Sequence, residues 1–204
     1  MLENALLFFE ALVVNLRIGL LALGVGLLIG GPLAIVRIRG SSLSRRTVGF
    51  LIGFLRAFPV YVLLFVALNL LESNGFFDLA EYDVASISLV IALSAYTVSA
   101  CSDACLTFLA HRASGAIDQA WLVIPNVMQI FIITLVSTSL GAAIGVQEVV
   151  FFTINLADTF SERWERVALV LVVIVFFTVF GVLVKWLVLQ VSGHMIGKNK
   201  QSPI

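Results

Sequence analysis

Residues 18–36 read IGLLALGVGLLIGGPLAIV, nineteen residues without one charge, closed by Arg17 before and Arg37 after. A helix rises about 1.5 Å per residue, so a run of this length reaches across the roughly 30 Å hydrocarbon core of a bilayer. A soluble core helix of this length would need a polar face, and this run has none. Working outward, the apolar pattern extends back through Leu6–Leu16, and four further stretches of similar character follow. We expect spans over approximately 8–37, 47–71, 84–108, 119–145 and 166–190, the second interrupted by Arg56 and Pro59. Between Gln119 and Gln147 the chain carries no charge at all, which is longer than a bilayer needs. Part of that stretch is expected to bend near Pro125 or to be buried against other helices.

Composition agrees with this reading. Of 204 residues, 61% are hydrophobic and 12% charged, against about 25% charged in an average soluble domain. The expectation is an all-α polytopic membrane protein of about five transmembrane helices, a single domain over 1–204. Twelve basic and twelve acidic residues cancel, so bulk charge points to no nucleic-acid partner, and the placement of charge carries more. Arg37, Arg39, Arg45 and Arg46 follow the first span without an acid, and Glu72, Asp78, Glu81 and Asp83 follow the second without a base. His111 and Arg112 follow the third, the next connection is mixed, and Lys185, Lys198 and Lys200 lie at the end. Because short loops rich in Lys and Arg stay on the cytoplasmic side, this alternation places the N-terminus outside and the C-terminus inside. The opening Glu3 and Glu10 are unlike the basic start of a signal peptide, so the first span is expected to be retained.

Cys101 and Cys105 sit in an apolar run and read as small hydrophobic residues. His111 and His194 fall near helix ends and read as interfacial. No paired-His metal spacing, phosphate-binding glycine loop or nucleophile elbow occurs, so catalysis, cofactor and metal are not expected. Polar groups inside the spans carry more information, since a charge near the bilayer centre costs about 2.5–3.5 kcal/mol on insertion scales. Arg56 either snorkels to the interface or works inside the span. Ser99, Ser102 and Asp103 lie within one helical turn of each other and face either a polar path or another helix. Gly141 and Gly145 form a small-xxx-small pair, read as packing within the bundle.

With these residues in place the chain resembles the permease subunits of polar amino-acid ABC importers, the histidine and glutamine permease type, over nearly its whole length. The likeness rests on several segments. Gly30, Gly31, Pro32, Leu33, Ala34 precede the basic loop; Leu55, Arg56, Ala57, Phe58, Pro59 stand for the family's Arg, Gly, Thr, Pro; Leu93 to Thr97 are similar to its Ala, Tyr start. Val123, Ile124, Pro125, Asn126 resemble its Leu, Pro, Gln segment. Ser137, Thr138, Ser139, Leu140 with Ile144, Gly145, Val146, Gln147, Glu148 resemble Thr, Ser, Leu and Ile, Gly, Val, x, Glu. The chain also departs from the family. Ser99 and Ser102 stand where the family carries Glu and Arg, Val136 and Ser137 replace a Lys and an Asp, and the coupling loop that docks the ATPase is shortened or missing, only Ala113 to Ala120 remaining.

The resemblance implies a type I ABC importer permease-like bundle in the bacterial inner membrane, forming half of a translocation path for amino acids or a related small polar solute. Its implied partners are a second permease subunit in a heteromer, cytoplasmic ATP-binding subunits, an external solute-binding protein and membrane lipid. ATP hydrolysis would reside in the separate subunits. Ser99, Ser102, Thr138 and Ser139 are the expected path residues, and Arg56, Asp103 and Glu148 the expected structural or gating groups. The alternative is a degenerate permease homologue acting as a non-transporting assembly or regulatory subunit. A channel or a non-ABC transporter would want a buried chain of charges for ion coupling, which the spans lack.

Overall fold

The structure, a computed structural model, describes residues 2–74 and 84–199. The acidic residues Asp78, Glu81 and Asp83 and the terminal Lys200 lie outside the described residues, as do the side chains of His194 and Lys198. The described residues are helical, with no strand among them.

Helix α1 is Leu2–Arg39, unbroken over 38 residues. Pro32 lies inside it; a proline removes one backbone hydrogen bond but does not end a helix that neighbouring helices support. After Gly40, Ser41 caps α2 (Ser42–Ala57), its hydroxyl accepting from the Ser44 N–H at 3.2 Å. The expected second span is two helices. Pro59 clashes with a helical residue before it, and Phe58 is accordingly extended at φ −72°, ψ 126°. The chain turns there by 92° into α3, Val60–Asn74.

Helix α4 is Val84–Ala113. The connection after it is short: a four-residue helix α5 (Ile117–Ala120), then α6 (Val123–Ser137). The charge-free stretch breaks at Trp121–Leu122 rather than at Pro125, which lies in the first turn of α6, where no intrahelical N–H partner is required. From Thr138 to Ile144 the chain tightens into a 3₁₀ segment ended by Gly145 at φ +85°, a left-handed conformation that glycine adopts without a Cβ penalty. Helices α7 (Val149–Asp158) and α8 (Arg163–Asn199) complete the chain.

Four stretches are long and apolar enough to cross a membrane: Glu3–Arg39, Val84–Ala113, Val123–Ile144 and Arg163–Gln190; the bent pair α2–α3 makes up to five. On α8, Trp164 and Trp186 are both exposed. Their 22-residue separation is about 33 Å along a helix, the spacing of the two interfaces where Trp anchors gather.

Contacts divide the chain into two packing units: Met1–Ala22, Pro59–Leu93 and Thr134–Phe180 form one, Leu23–Phe58, Ser94–Ile133 and Gly181–Ile204 the other. In the first, Ile18, Ala22, Leu64, Leu89, Leu93 and Val146 form a core, and a second cluster gathers Ala11, Val149 and Val173 with Phe8 and Phe152 around them. In the second unit, Cys101, Ala104 and Ile130 pack with Leu23 and Val127. There α1 and α4 approach closely: a Cβ on Gly26 would lie 2.7 Å from the Thr97 Cβ, and one on Gly30 2.7 Å from the Val98 carbonyl oxygen. Both cysteines are free, and Cys101 is buried as a small apolar residue.

Candidate functional site: two polar clusters

In the first unit, α1 brings Asn15 against the start of α7. The Asn15 amide donates to the Thr138 hydroxyl at 2.6 Å and to the Glu148 carboxylate at 3.0 Å, while its oxygen accepts from the Val149 N–H at 3.0 Å. Since a carboxylate accepts only, its contact with the amide nitrogen fixes which way the amide points. Glu148 is also the N-cap of α7: its two oxygens accept from the N–H groups of Val150 and Phe151, each at 2.9 Å. Negative charge at that position is stabilised by the helix dipole and by unpaired N–H groups. Asn15, Thr138 and Glu148 are all 0% exposed. Glu148 follows the apolar stretch Val123–Ile144; burial raises its carboxyl pKa, and the bonds from Val150, Asn15 and Phe151 oppose that rise.

In the second unit, Asp103 of α4 receives two arginines. Arg37, in the last turn of α1, reaches one carboxylate oxygen at 2.6 Å, and Arg56, in the last turn of α2, pairs with the other. Arg37 also contacts the Ser102 hydroxyl at 3.5 Å. The triad ties together α1, α2 and α4. It leaves one net positive charge on the three groups.

Arg37 is 23% exposed and Arg56 57%, so water screens the second pair far more than the first. Arg37→Gln is therefore expected to lower stability by about 1–3 kcal/mol, since a partly buried carboxylate loses its less exposed partner. Arg56→Gln is expected to cost under about 1 kcal/mol. Thermal unfolding of the two variants in detergent checks the order.

The expected site residues thus separate. Arg56, Asp103 and Ser102 come together, as do Thr138 and Glu148. Ser99 is buried and donates to the Tyr96 carbonyl at 3.0 Å; Ser139 is half-buried and donates to the Val136 carbonyl at 2.8 Å. Neither joins a cluster. Two members were missed from sequence. Asn15 is a lone amide in an apolar run, and a buried amide in lipid must find partners, which is the signal that could have found it. Arg37 was read only as a topology charge. Gly141 and Gly145 are not a packing pair: a Cβ on Gly141 would meet Leu89 at 2.8 Å and Val146 at 2.9 Å, whereas Gly145 has nothing within 4 Å and serves the turn. In a 3₁₀ segment of three residues per turn, positions four apart do not share a face.

No protein-family model and no curated protein sequence matches the chain. Among solved structures it is similar to a chain of an amino acid ABC transporter crystallised with histidines, with TM-score 0.74 and 17% identity over 95% of this chain and 96% of that one. It is also similar to a chain of the inward-facing MetNI methionine ABC transporter, with TM-score 0.63 and 15% identity over 93% and 96%. All-helical among its described residues, the protein is a multi-pass chain with the fold of ABC transporter membrane subunits.

Proposed function

We propose that this chain is the transmembrane permease subunit of an ABC importer for amino acids or a related small polar solute. The observation that supports it most is the fold likeness to a chain of an amino acid ABC transporter, extending over 95% of this chain. The sequence segments around Arg56–Pro59 and Ser137–Glu148, read above as similar to the histidine and glutamine permease type, point the same way. In this reading 1–204 is one transmembrane domain of a bacterial inner membrane, N-terminus outside and C-terminus cytoplasmic. A second permease supplies the other half of the path, cytoplasmic subunits bind and hydrolyse ATP, and an external protein delivers the solute.

Ser99, Ser102, Thr138 and Ser139 are the small hydroxyls we assign to the path. The first three are buried within the chain, so they meet solute only when helices part during transport. Glu148 with Asn15 braces the start of α7, and Asp103 with its two arginines braces α1, α2 and α4. Helix α5 occupies the short connection where the ATPase would dock, and with only four residues there we expect the second permease to carry the stronger ATPase contact.

The test is affinity purification of the tagged chain in mild detergent, mass spectrometry of the chains that accompany it, and reconstitution of that complex in liposomes. We expect an ATP-binding subunit and a second permease, and ATP-dependent uptake of a radiolabelled amino acid. Recovery without an ATP-binding subunit would sink the reading. A complete complex without uptake of any amino acid would favour the non-transporting alternative.

A further inference from the structure

Helix α2 carries a face that the polar clusters do not use. Leu43, Phe50 and Phe54, spaced to lie along one side of a helix, are 76%, 76% and 50% exposed, and Leu51 beside them is 42% exposed. The rings form a ladder: Phe50 stacks on Phe54 with centroids 6.4 Å apart, and Phe54 meets Phe58 edge-on at 4.7 Å. Ile52 is 3% exposed and turns inward. The helix is thus held by one face and offers aromatic rings on another.

Charge surrounds this face. From Ile18 to Leu71 the sequence holds Arg37, Arg39, Arg45, Arg46 and Arg56 and no acid. Asp103 occupies Arg37 and Arg56. Arg39, Arg45 and Arg46 are exposed and form no ion pair with any described residue. Two residues separate the basic last turn of α1 from α2, so α2 begins at the bilayer edge where the first span ends. Exposed rings favour acyl chains over water, and arginines gathered at the end of a span favour anionic headgroups.

We infer that α2, with Arg39, Arg45 and Arg46, forms a binding surface for anionic phospholipid headgroups. The occupant is a phosphate-bearing lipid with net negative charge, because the surface carries three free cations and the exposed rings need hydrocarbon rather than water. This holds whichever solute the chain carries, and it does not rest on the transport reading.

The experiment uses the full chain, purified in mild detergent and exchanged with phosphatidylglycerol or phosphatidylcholine, with bound lipid counted by native mass spectrometry and unfolding followed thermally. We expect phosphatidylglycerol to be retained and to raise the unfolding temperature more than phosphatidylcholine. The double variant Arg45→Gln with Arg46→Gln should weaken that retention by on the order of 20-fold, taking about fivefold for each arginine near an anionic surface. Arg45→Lys with Arg46→Lys should keep it, since charge rather than guanidinium geometry sets the attraction. Equal retention of the two lipids by the natural chain, or an undiminished preference in a Gln variant that elutes like the natural chain, would overturn the inference. Should the Gln variant not fold, salt decides on the natural chain: about 1 M salt shortens screening to roughly 3 Å and should abolish the preference. Persistence at that salt would overturn it, as would an acidic protein that occupies the arginines in place of lipid.

Discussion

Replacing Glu148 by Ala is expected to lower stability by about 3 kcal/mol, combining the loss of an N-cap with buried donors left unpaired. The carboxylate holds three groups at once, the N–H groups of Val150 and Phe151 and the Asn15 amide. None of them can turn to water, because the site is 0% exposed. Glu148→Gln is not a mild substitute. Both carboxylate oxygens accept, and an amide offers one oxygen and one NH₂, which would face a backbone donor. Thermal or denaturant unfolding in detergent reads the effect directly. The partner test is Asn15→Ala alone and combined with Glu148→Ala: a shared network predicts that the double variant loses less than the sum by about 0.5–3 kcal/mol. Strict additivity would mean the two residues act separately, against the geometry.

The contrast between neighbouring glycines on α1 is expected to be as large and to differ in sign. A Cβ at Gly30 would lie 2.7 Å from the Val98 carbonyl oxygen and 2.8 Å from the Ser102 nitrogen, both backbone atoms of α4 that no rotamer change can move. Gly30→Ala must push α1 and α4 apart, at a cost of about 2–3 kcal/mol. At Gly31 nothing lies within 4 Å, and alanine there gains up to about 1 kcal/mol of helix propensity. Unfolding temperatures of the two single variants against the natural chain decide the matter. Equal losses at both positions would show that the glycines matter for helix bending rather than for the approach of α4.

The helices could be read in the sequence because the lipid leaves few choices: an uncharged run of about 20 residues has to pair its own backbone, and only a helix does so alone. The break at Pro59 was visible for the same reason, since the residue before a proline leaves the helical region. The 3₁₀ stretch Thr138–Ile144 was not, because nothing in TSLGAAI separates a tightened turn from a regular one; packing of Gly141 against Leu89 and Val146 goes with the tightening. Glu148, Asp103 and Arg56 could be picked out because charge in an apolar chain is rare enough to point at itself. Their partners could not. Asn15 lies 133 residues from Glu148 and Arg37 lies 66 from Asp103, and no local pattern records a pairing made by folding.

Helix α8 shows a different kind of freedom. Val167, Leu171, Val172, Val175, Val182 and Leu183 are each more than half exposed. A side chain that touches acyl tails is judged by its solubility in oil and hardly at all by its shape, so exchange among Leu, Ile, Val and Phe along that surface should pass unnoticed while a single Asp would not. A saturation-mutagenesis map would show α8 as a band permissive to every aliphatic residue, against a narrow column at Gly30 that accepts one. In such a protein lineages can rewrite much of their lettering while the architecture stands.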